Sequence, residues 1–263
     1  MELIIQSDAD AYLQILEASE RAGVSIYERY RGCRPRESVC GSIPGIALSF
    51  TRFPRIPRSE WKDRIIAGKG TWLSDVRKGK LEPHDQGRSS LCWMHGSVRA
   101  MEVLRVYQGQ TPILLSAECA ATQVTGGRNR GGMPDEALQH LRTIGTCDQS
   151  MWPKLSLSSR NADPGWIKDQ KNHVTLDWVD VANFDDQMTC AFHRVPVAIG
   201  LRWWRHLVCQ LDPVIMPDGS FGIGIDNSWG PEWGENGYGT LSEKYGEADL
   251  GAFAPISETF SET

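Results

Sequence analysis

Apolar residues at helical spacing mark the first half of the chain. In residues 92–107 (CWMHGSVRAMEVLRVY) they recur three and four positions apart, which is the period of an α-helix. Residues 8–20 show the same spacing more loosely and begin beside residues that can cap a helix. A third run, residues 135–143, follows Pro134 at a position where a helix tolerates proline. We therefore predict helices in these three ranges.

Short apolar runs mark the second half. Residues 195–201, 206–211 and 221–226 are rich in apolar and β-branched side chains and predict strands. The Pro-Asp-Gly sequence at 217–219 separates the last two runs and is typical of a hairpin turn. Helices followed by strands predict an α+β protein whose two kinds of element lie in separate layers.

Composition is that of a soluble globular protein, but the charge is uneven. The 263 residues are enough for one large domain or two closely packed subdomains, and 40% are hydrophobic and 23% charged. The net charge of −5 is too small to indicate a class of binding partner. Residues 21–58 nevertheless carry +6, from two glutamates and eight arginines: Arg21, Arg29, Arg31, Arg34, Arg36, Arg52, Arg55 and Arg58.

A basic stretch of this kind fits an acidic partner, a nucleic acid or the acidic remainder of its own chain. The remainder carries −11, so we favour docking of residues 21–58 on the chain itself. Nothing in the stretch specifically indicates nucleic acid.

The N-terminus and the cysteines indicate a reducing compartment. The sequence MELIIQSDAD lacks the basic region and long apolar core of a secretory signal, and no run of 18 apolar residues predicts a membrane span. Disulfides are therefore not expected among the seven cysteines, at positions 33, 40, 92, 119, 147, 190 and 209. We expect a cytoplasmic protein, or one in another reducing compartment, without a membrane partner.

Cys92 is the residue best placed to act as a nucleophile. It begins the predicted helix 92–107, whose N-terminal amides and dipole favour a thiolate. Gln86 lies six residues earlier, where its amide can complete an oxyanion hole with the Cys92 backbone N–H. His206 begins a predicted strand and can exchange a proton with the thiol. Asn227 follows the next strand, and its carbonyl can orient the histidine.

The order Gln86, Cys92, His206 and Asn227 resembles that of the papain and cathepsin family of cysteine peptidases. The resemblance covers residues 56–263 and rests on the motifs IPRSEW (56–61), DQGRSSLCW (85–93), LSAEC (115–119), GGMPDEAL (131–138) and NSWGPEWGENGYG (227–239). It implies a papain-like fold of two subdomains with a cleft between them. The helical subdomain would carry the cysteine, and an antiparallel, barrel-like β subdomain would carry the histidine and asparagine.

The resemblance also implies roles for residues along the cleft. Gly131 and Gly132 would pair with the backbone of a substrate, as an added strand does, because glycine leaves room for a close approach. Trp229 would shield the histidine–asparagine bond from water. Trp233 would line the cleft on the side of the leaving group.

A pocket for the second substrate side chain would be lined by Met133, Pro134 and Trp204. The bulk of Trp204 would narrow this pocket, so we expect a preference for small or medium apolar side chains.

Several positions depart from the family pattern. Ser89 and Asn129 stand where the family has a pair of disulfide-forming cysteines, which agrees with a reducing environment. The segment before His206 is shortened, so a loop that frames the cleft is trimmed. Arg205 stands where the family has Asn or Asp, and a cation there favours the thiolate but opposes the imidazolium.

We divide the chain into a basic N-terminal arm at 1–55, a mainly helical subdomain at 56–148 and a mainly β subdomain at 149–263. The arm stands where the family has an inhibitory propeptide, but it is short and lacks the family's long helical motif. We therefore expect a permanent structural arm and not a removable segment.

Three functions fit these residues. The first is a cysteine endopeptidase that works through a thioester acyl-enzyme and needs no metal or cofactor. The second is a structural protein that keeps the fold with little or no activity, for example as a component of a virus particle. The third is acyl transfer or deamidation, because an amine can capture the same thioester.

Overall fold

The computed structural model describes residues 3–23, 32–34, 54–68, 81–175 and 177–256. The α-helices in this part of the chain are α1 (Asp8–Ala22), α2 (Arg58–Ile66), α3 (Cys92–Tyr107), α4 (Ala117–Thr125), α5 (Pro134–Thr143), α6 (Trp166–Asp169), α7 (Phe184–Phe192) and α8 (Glu243–Gly246). The strands are β1 (Ile4–Ile5), β2 (Asp177–Asp180), β3 (Val197–Leu201), β4 (His206–Ile215), β5 (Phe221–Asp226), β6 (Tyr238–Ser242) and β7 (Ala252–Ile256). Short 3₁₀ turns lie at Gln149–Met151, Ser159–Asn161 and Gln170–Asn172.

The seven strands form one sheet in the order β1-β6-β5-β4-β3-β7-β2. β1 pairs with β6 in parallel, and all other neighbours are antiparallel. β4 is the longest strand and lies at the centre. Its pairing with β5 shifts between Gln210 and Pro213, because proline has no N–H to donate to the ladder.

Helix α3 packs on the face of this sheet and forms the centre of the first apolar core. Every residue from Cys92 to Leu104 is buried, so the helix is covered on all sides and not on one stripe alone. Its closest approach to the sheet is at Gly96, where an added Cβ would lie 2.3 Å from Leu207 Cδ2. Glycine is therefore required where α3 crosses β4.

A second apolar core lies between the sheet, α1, α2 and α7. Trp61 of α2 is fully buried and packs edge-on against Phe184 and Phe221, with ring centroids 6.2 and 5.1 Å apart. The residues of α2 fall in the range 56–148 that we assigned to the helical subdomain, yet this helix packs with the β elements. The reason is that Trp61 is buried in this core and Ile65 packs against it.

The first residues of the chain are part of the same core. Ser7 caps α1 in a reciprocal capping box with Asp10, and Gly23 ends the helix in a left-handed conformation. Asp8 accepts hydrogen bonds from Lys244 (2.7 Å) and Tyr245. Part of the predicted arm is thus an integral element of the fold.

Three of the predicted basic-stretch arginines contact acidic residues of the chain. Arg55 pairs with Asp186 at 2.5 Å, and Arg58 reaches Asp185 and Glu243, both at 2.6 Å. Arg21 pairs with Glu17 at 3.5 Å. Arg29, Arg31, Arg36 and Arg52 lie outside the described residues.

The α+β class and the six predicted elements are confirmed. Helix α3 has the predicted bounds, α1 extends two residues beyond the prediction, and α5 starts one residue before it. The strand predicted at 195–201 starts at Val197, the next extends to Ile215, and the Pro-Asp-Gly turn joins β4 to β5. The predictions missed α2, α4, α6, α7, α8 and four strands. These strands are short, and pairing with β3, β5 and one another decides their conformation.

Six of the cysteines are described, and none of these six is in a disulfide, while Cys40 lies outside the described residues. No helix in the described ranges is long and apolar enough to cross a membrane.

Candidate active site

Cys92 is the first residue of α3, and its side chain is 1% exposed. The first backbone N–H groups of a helix have no partner within the helix, and together with the dipole they stabilise a nearby thiolate. The segment before it is a tight turn in which Ser89 donates its backbone N–H to Gln86 O (3.0 Å). This turn leads into α3 and places Cys92 at its N-terminus.

His206 and Asn227 are brought together by the pairing of β4 with β5. His206 begins β4, and Asn227 immediately follows β5, which runs antiparallel to it. The His206 Nε2 donates to Asn227 Oδ1 at 2.6 Å, and the same oxygen accepts the Ser228 backbone N–H at 2.8 Å. This bond assigns the proton to Nε2 and leaves Nδ1 as the atom available to a thiol.

The histidine strand reaches the start of α3 because Leu207 packs directly on Gly96, one turn after Cys92. A Cβ built on Gly32 would lie 2.8 Å from Cys92 Sγ and 3.6 Å from the carbonyl oxygen of Arg205. One point therefore touches both the thiol and the residue before His206. The predicted cysteine, histidine and asparagine thus lie in one site.

Gln86 is held beside them by hydrogen bonds to Ser228 and Ser89. Its backbone N–H donates to Ser228 O at 2.8 Å, and its Oε1 accepts the Ser228 hydroxyl at 2.6 Å. Its Nε2 donates to Ser89 O at 2.7 Å. An amide nitrogen has two hydrogens, so a second donor remains for an oxyanion near the start of α3.

An aromatic cluster covers the histidine. The ring of Trp229 lies 4.9 Å from that of His206, and the Trp204 ring lies at the same distance on a tilted plane. Trp204 also packs edge-on against Trp229, with centroids 5.2 Å apart. The resemblance implies that Trp229 shields the bond between His206 and Asn227 from water, and both rings lie against the histidine that makes this bond.

Two of the tryptophans require corrections. We expected Trp204 in the pocket beside Met133, but only Arg202–Arg205 connect β3 to β4, and this short turn stacks Trp204 on Trp203, in the cluster over His206. We expected Trp233 to line the cleft on the side of the leaving group, but it is 1% exposed and its indole N–H donates to Gln14 of α1 at 2.9 Å.

No family model matches the chain. The chain is 24% identical over 200 residues to a cysteine proteinase of Theileria annulata, which covers 66% of this chain and 43% of that protein. It is 24% identical over 199 residues to the oryzain gamma chain of Oryza sativa subsp. japonica, which covers 64% and 52%. The chain thus spans about half the length of these curated relatives.

Among solved structures, xylellain, a cysteine protease from Xylella fastidiosa, superposes with a TM-score of 0.57 at 19% identity. The match covers 67% of this chain and 83% of that one. Digestive procathepsin L 3 of Tenebrio molitor superposes with a TM-score of 0.55 at 20% identity and covers 66% of each chain. The chain has the papain-like fold.

The cleft of this papain-like fold holds residues 32–34 of the chain itself. The Gly132 N–H donates to Gly32 O, and the Arg34 N–H donates to Gly132 O, both at 3.0 Å. Cys33 donates its backbone N–H to Arg205 O at 3.1 Å. This is the strand-like pairing predicted for Gly132 and a substrate, made instead in the parallel direction by the chain's own segment.

Gly132 must be glycine for this pairing, because a Cβ there would lie 2.5 Å from the Trp93 ring. Gly131 precedes it and is buried, the half-buried Met133 caps the start of α5, and the buried Pro134 is the first residue of that helix. The Met133 N–H donates to the Glu136 carboxylate at 3.0 Å, which fixes this turn beside the paired segment.

The side chain of Cys33 occupies a small apolar pocket that the sequence did not reveal. Its Sγ lies 3.4 Å from a Cβ built on Gly200, and the same point lies 2.9 Å from Leu250 Cβ. Burial raises the pKa of the Cys33 thiol well above its usual value, and the neighbouring Cys92 adds to the shift. Gly32 and Cys33 belong to an irregular arginine-rich stretch without periodicity, so no sequence signal pointed to them.

A buried network of charges supports the site from beneath α3, and the sequence did not reveal it either. Arg99 donates to Asp226 at 2.6 Å and to Glu102 at 2.8 Å. His84 reaches the other side of Glu102 at 3.0 Å. Burial alone would raise the pKa of Glu102, but His84 and Arg99 outweigh it and lower that pKa. Because Asp226 directly precedes Asn227, the network anchors the end of β5.

Proposed function

We propose that the protein is a cysteine endopeptidase. The observation that carries this proposal is the hydrogen bond from His206 Nε2 to Asn227 Oδ1, which leaves Nδ1 as the ring nitrogen that can exchange a proton with Cys92. Such an orientation supports proton transfer between a thiol and an imidazole. The similarity to cysteine proteases in sequence supports the same chemistry.

In the proposed reaction, the Cys92 thiolate attacks the carbonyl carbon of a peptide bond. The Gln86 amide and the Cys92 backbone N–H donate hydrogen bonds to the oxyanion that forms. The His206 imidazolium protonates the leaving amine, and an acyl-enzyme thioester remains. Water then attacks the thioester, His206 accepts its proton, and the acid product and the thiol are released.

We further propose that residues 32–34 hold the enzyme in a latent state. Their three backbone hydrogen bonds occupy Gly132 and Arg205, so a substrate backbone has to displace them. This proposal does not say whether residues 1–55 are later cleaved off, so the permanent arm expected from the sequence stays a prediction.

We also propose that the basic stretch docks on the chain's own acidic residues, as Arg55 and Arg58 do. A reducing compartment suits the six free cysteines.

The experiment is competitive alkylation by iodoacetamide at mildly acidic pH, read by peptide mass spectrometry. The test compares the full chain with Arg34→Pro, which removes the N–H that donates to Gly132. We expect Cys92 to react faster than Cys119 and Cys209 in Arg34→Pro, and slowly in the parent chain. A His206→Ala substitution in the same background should abolish the selectivity.

The proposal of catalysis fails if Cys92 of Arg34→Pro reacts no faster than Cys119 or Cys209. The proposal of latency fails separately, if Cys92 reacts equally fast in the parent chain and in Arg34→Pro. The matched control is Arg34→Ala, which changes the side chain but keeps the N–H that donates to Gly132. A proline at an arginine elsewhere, such as Arg64→Pro, is not a suitable control because it would break α2.

A further inference from the structure

A cavity of about 820 Å³ lies apart from the cysteine cleft, between α3, α4 and the loop that follows Trp229. Its mouth is formed by exposed residues, including Lys154, Leu155 and Pro231. Its floor is formed by the buried side chains of His95 and Glu118. The volume is within the range of pockets that bind small organic molecules.

His95 lines this cavity, and one of its ring nitrogens is unsatisfied. The residue is 2% exposed, and its Nε2 has no hydrogen-bond partner. Its Nδ1 lies 3.0 Å from His84 Nδ1, and His84 Nε2 lies 3.0 Å from the Glu102 carboxylate. Only one hydrogen can stand between the two Nδ1 atoms. His84 Nε2 donates to the Glu102 carboxylate, and we assign the hydrogen between the two Nδ1 atoms to His95.

With that hydrogen on Nδ1, a neutral His95 ring carries a lone pair on Nε2, the ring nitrogen that lies 3.9 Å from Glu118. Burial lowers the pKa of His95 to about 4, which agrees with a neutral ring. A buried acceptor without a donor is rare in a folded protein because it loses its hydrogen bond to water.

Glu118 places a carboxylate beside this lone pair. Its Oε1 lies 3.9 Å from His95 Nε2 and accepts the Leu155 backbone N–H at 3.2 Å. Its Oε2 accepts the Ser116 hydroxyl at 3.4 Å. No arginine or lysine among the described residues lies within ion-pair distance of it. Two acceptors thus face each other across the floor, and a donor between them would satisfy both.

The rest of the lining determines what kind of donor fits. Glu82 and Asp85 add two carboxylates, against one ammonium from Lys154. Apolar walls come from residues such as Leu81, Leu114 and Leu155. No group of three His, Cys, Asp or Glu side chains in the described ranges is arranged to hold a metal ion.

We propose that this cavity binds a small organic cation, an amine or amidine with a compact apolar body. The cationic N–H groups donate to Glu118 and to His95 Nε2 on the floor. The apolar body lies against the leucines. This site is independent of the proposed peptidase activity.

The test is calorimetric titration of the full chain with benzamidine and with benzamide, its neutral analogue of the same shape. We expect benzamidine to bind about tenfold or more tightly than benzamide, because only the cation forms charge-assisted bonds. Glu118→Gln keeps an acceptor for the Leu155 N–H but loses the charge, and should weaken benzamidine about tenfold while leaving benzamide unchanged.

Two further variants keep the test decisive. Lys154→Gln lies on the exposed rim and should tighten benzamidine binding about two- to threefold by removing a like charge. Glu247→Gln removes an exposed carboxylate outside the lining and should change nothing. Equal binding of the two probes, no binding of benzamidine, or unchanged affinity in both Glu118→Gln and Lys154→Gln would overturn the proposal.

Discussion

Two buried histidines, His206 and His95, differ in the hydrogen-bond partner of their Nε2 atoms. His206 is 5% exposed, and Asn227 Oδ1 accepts its Nε2 hydrogen at 2.6 Å. His95 is 2% exposed, and its Nε2 has no hydrogen-bond partner, with Glu118 at 3.9 Å. A fixed acceptor sets the tautomer and the orientation of the first ring for proton transfer. The second ring has an Nε2 without a partner in the chain, and the proposed cation site uses this atom as an acceptor.

The largest expected effect separates the two histidines by activity. In the Arg34→Pro background, His206→Ala should lower peptide hydrolysis about 10²–10⁴-fold, because it removes the proposed general acid and base. His95→Gln in the same background should leave kcat within about twofold, because no proposed step uses this ring. Steady-state kinetics with a peptide substrate measure both. Comparable losses in the two variants would break the distinction.

The next effect concerns the charges beneath the site. Arg99→Met should lower the free energy of unfolding by about 3–5 kcal/mol, because it leaves the buried Asp226 carboxylate without its cation and leaves Glu102 with His84 as its remaining side-chain partner. Denaturant unfolding measures this change. Arg64→Met, which breaks the exposed pair with Glu60, is the matched control and should cost less than about 1 kcal/mol. A loss below 1 kcal/mol for Arg99→Met would show that the network does not anchor β5.

Removal of the partner of His206 should have an intermediate effect. A hydrogen bond to a charged group contributes about 1.5–3 kcal/mol, so Asn227→Ala should lower kcat about 10- to 100-fold. The pH at which Cys92 becomes reactive should shift as well, because the imidazolium loses its acceptor. Alkylation rates measured between pH 4 and 8 report this shift. A changed rate with an unchanged pH profile would indicate a structural role only.

The smallest expected effect is a pH dependence of stability that comes from His95. Burial lowers its pKa to about 4 in the folded protein, against a usual value near 6.5. Between these values the unfolded chain binds the proton and the folded chain does not, so stability falls as the pH falls. The expected loss from pH 6.5 to pH 5 is about 2 kcal/mol. Denaturant unfolding of His95→Gln should show a weaker pH dependence, and an identical slope would contradict the assignment of a neutral ring.

Much of the site was predictable because its residues stand at the ends of strongly patterned elements. Cys92 opens a helix with clear periodicity, and His206 and Asn227 flank two strands joined by a recognisable turn. The positions of Trp204 and Trp233 were not predictable. A short turn and the packing of α1 decide them, and both depend on elements distant in the sequence.

The sequence by itself determined the α+β class, the six main elements and the set of Gln86, Cys92, His206 and Asn227. Local periodicity and short motifs are enough for this, because each is read within a single element. Only the tertiary structure decided that residues 32–34 lie over Cys92 and that His95 faces Glu118 with nothing between them. Both depend on which side chains from separate parts of the chain are buried together, and burial is a property of the folded protein alone.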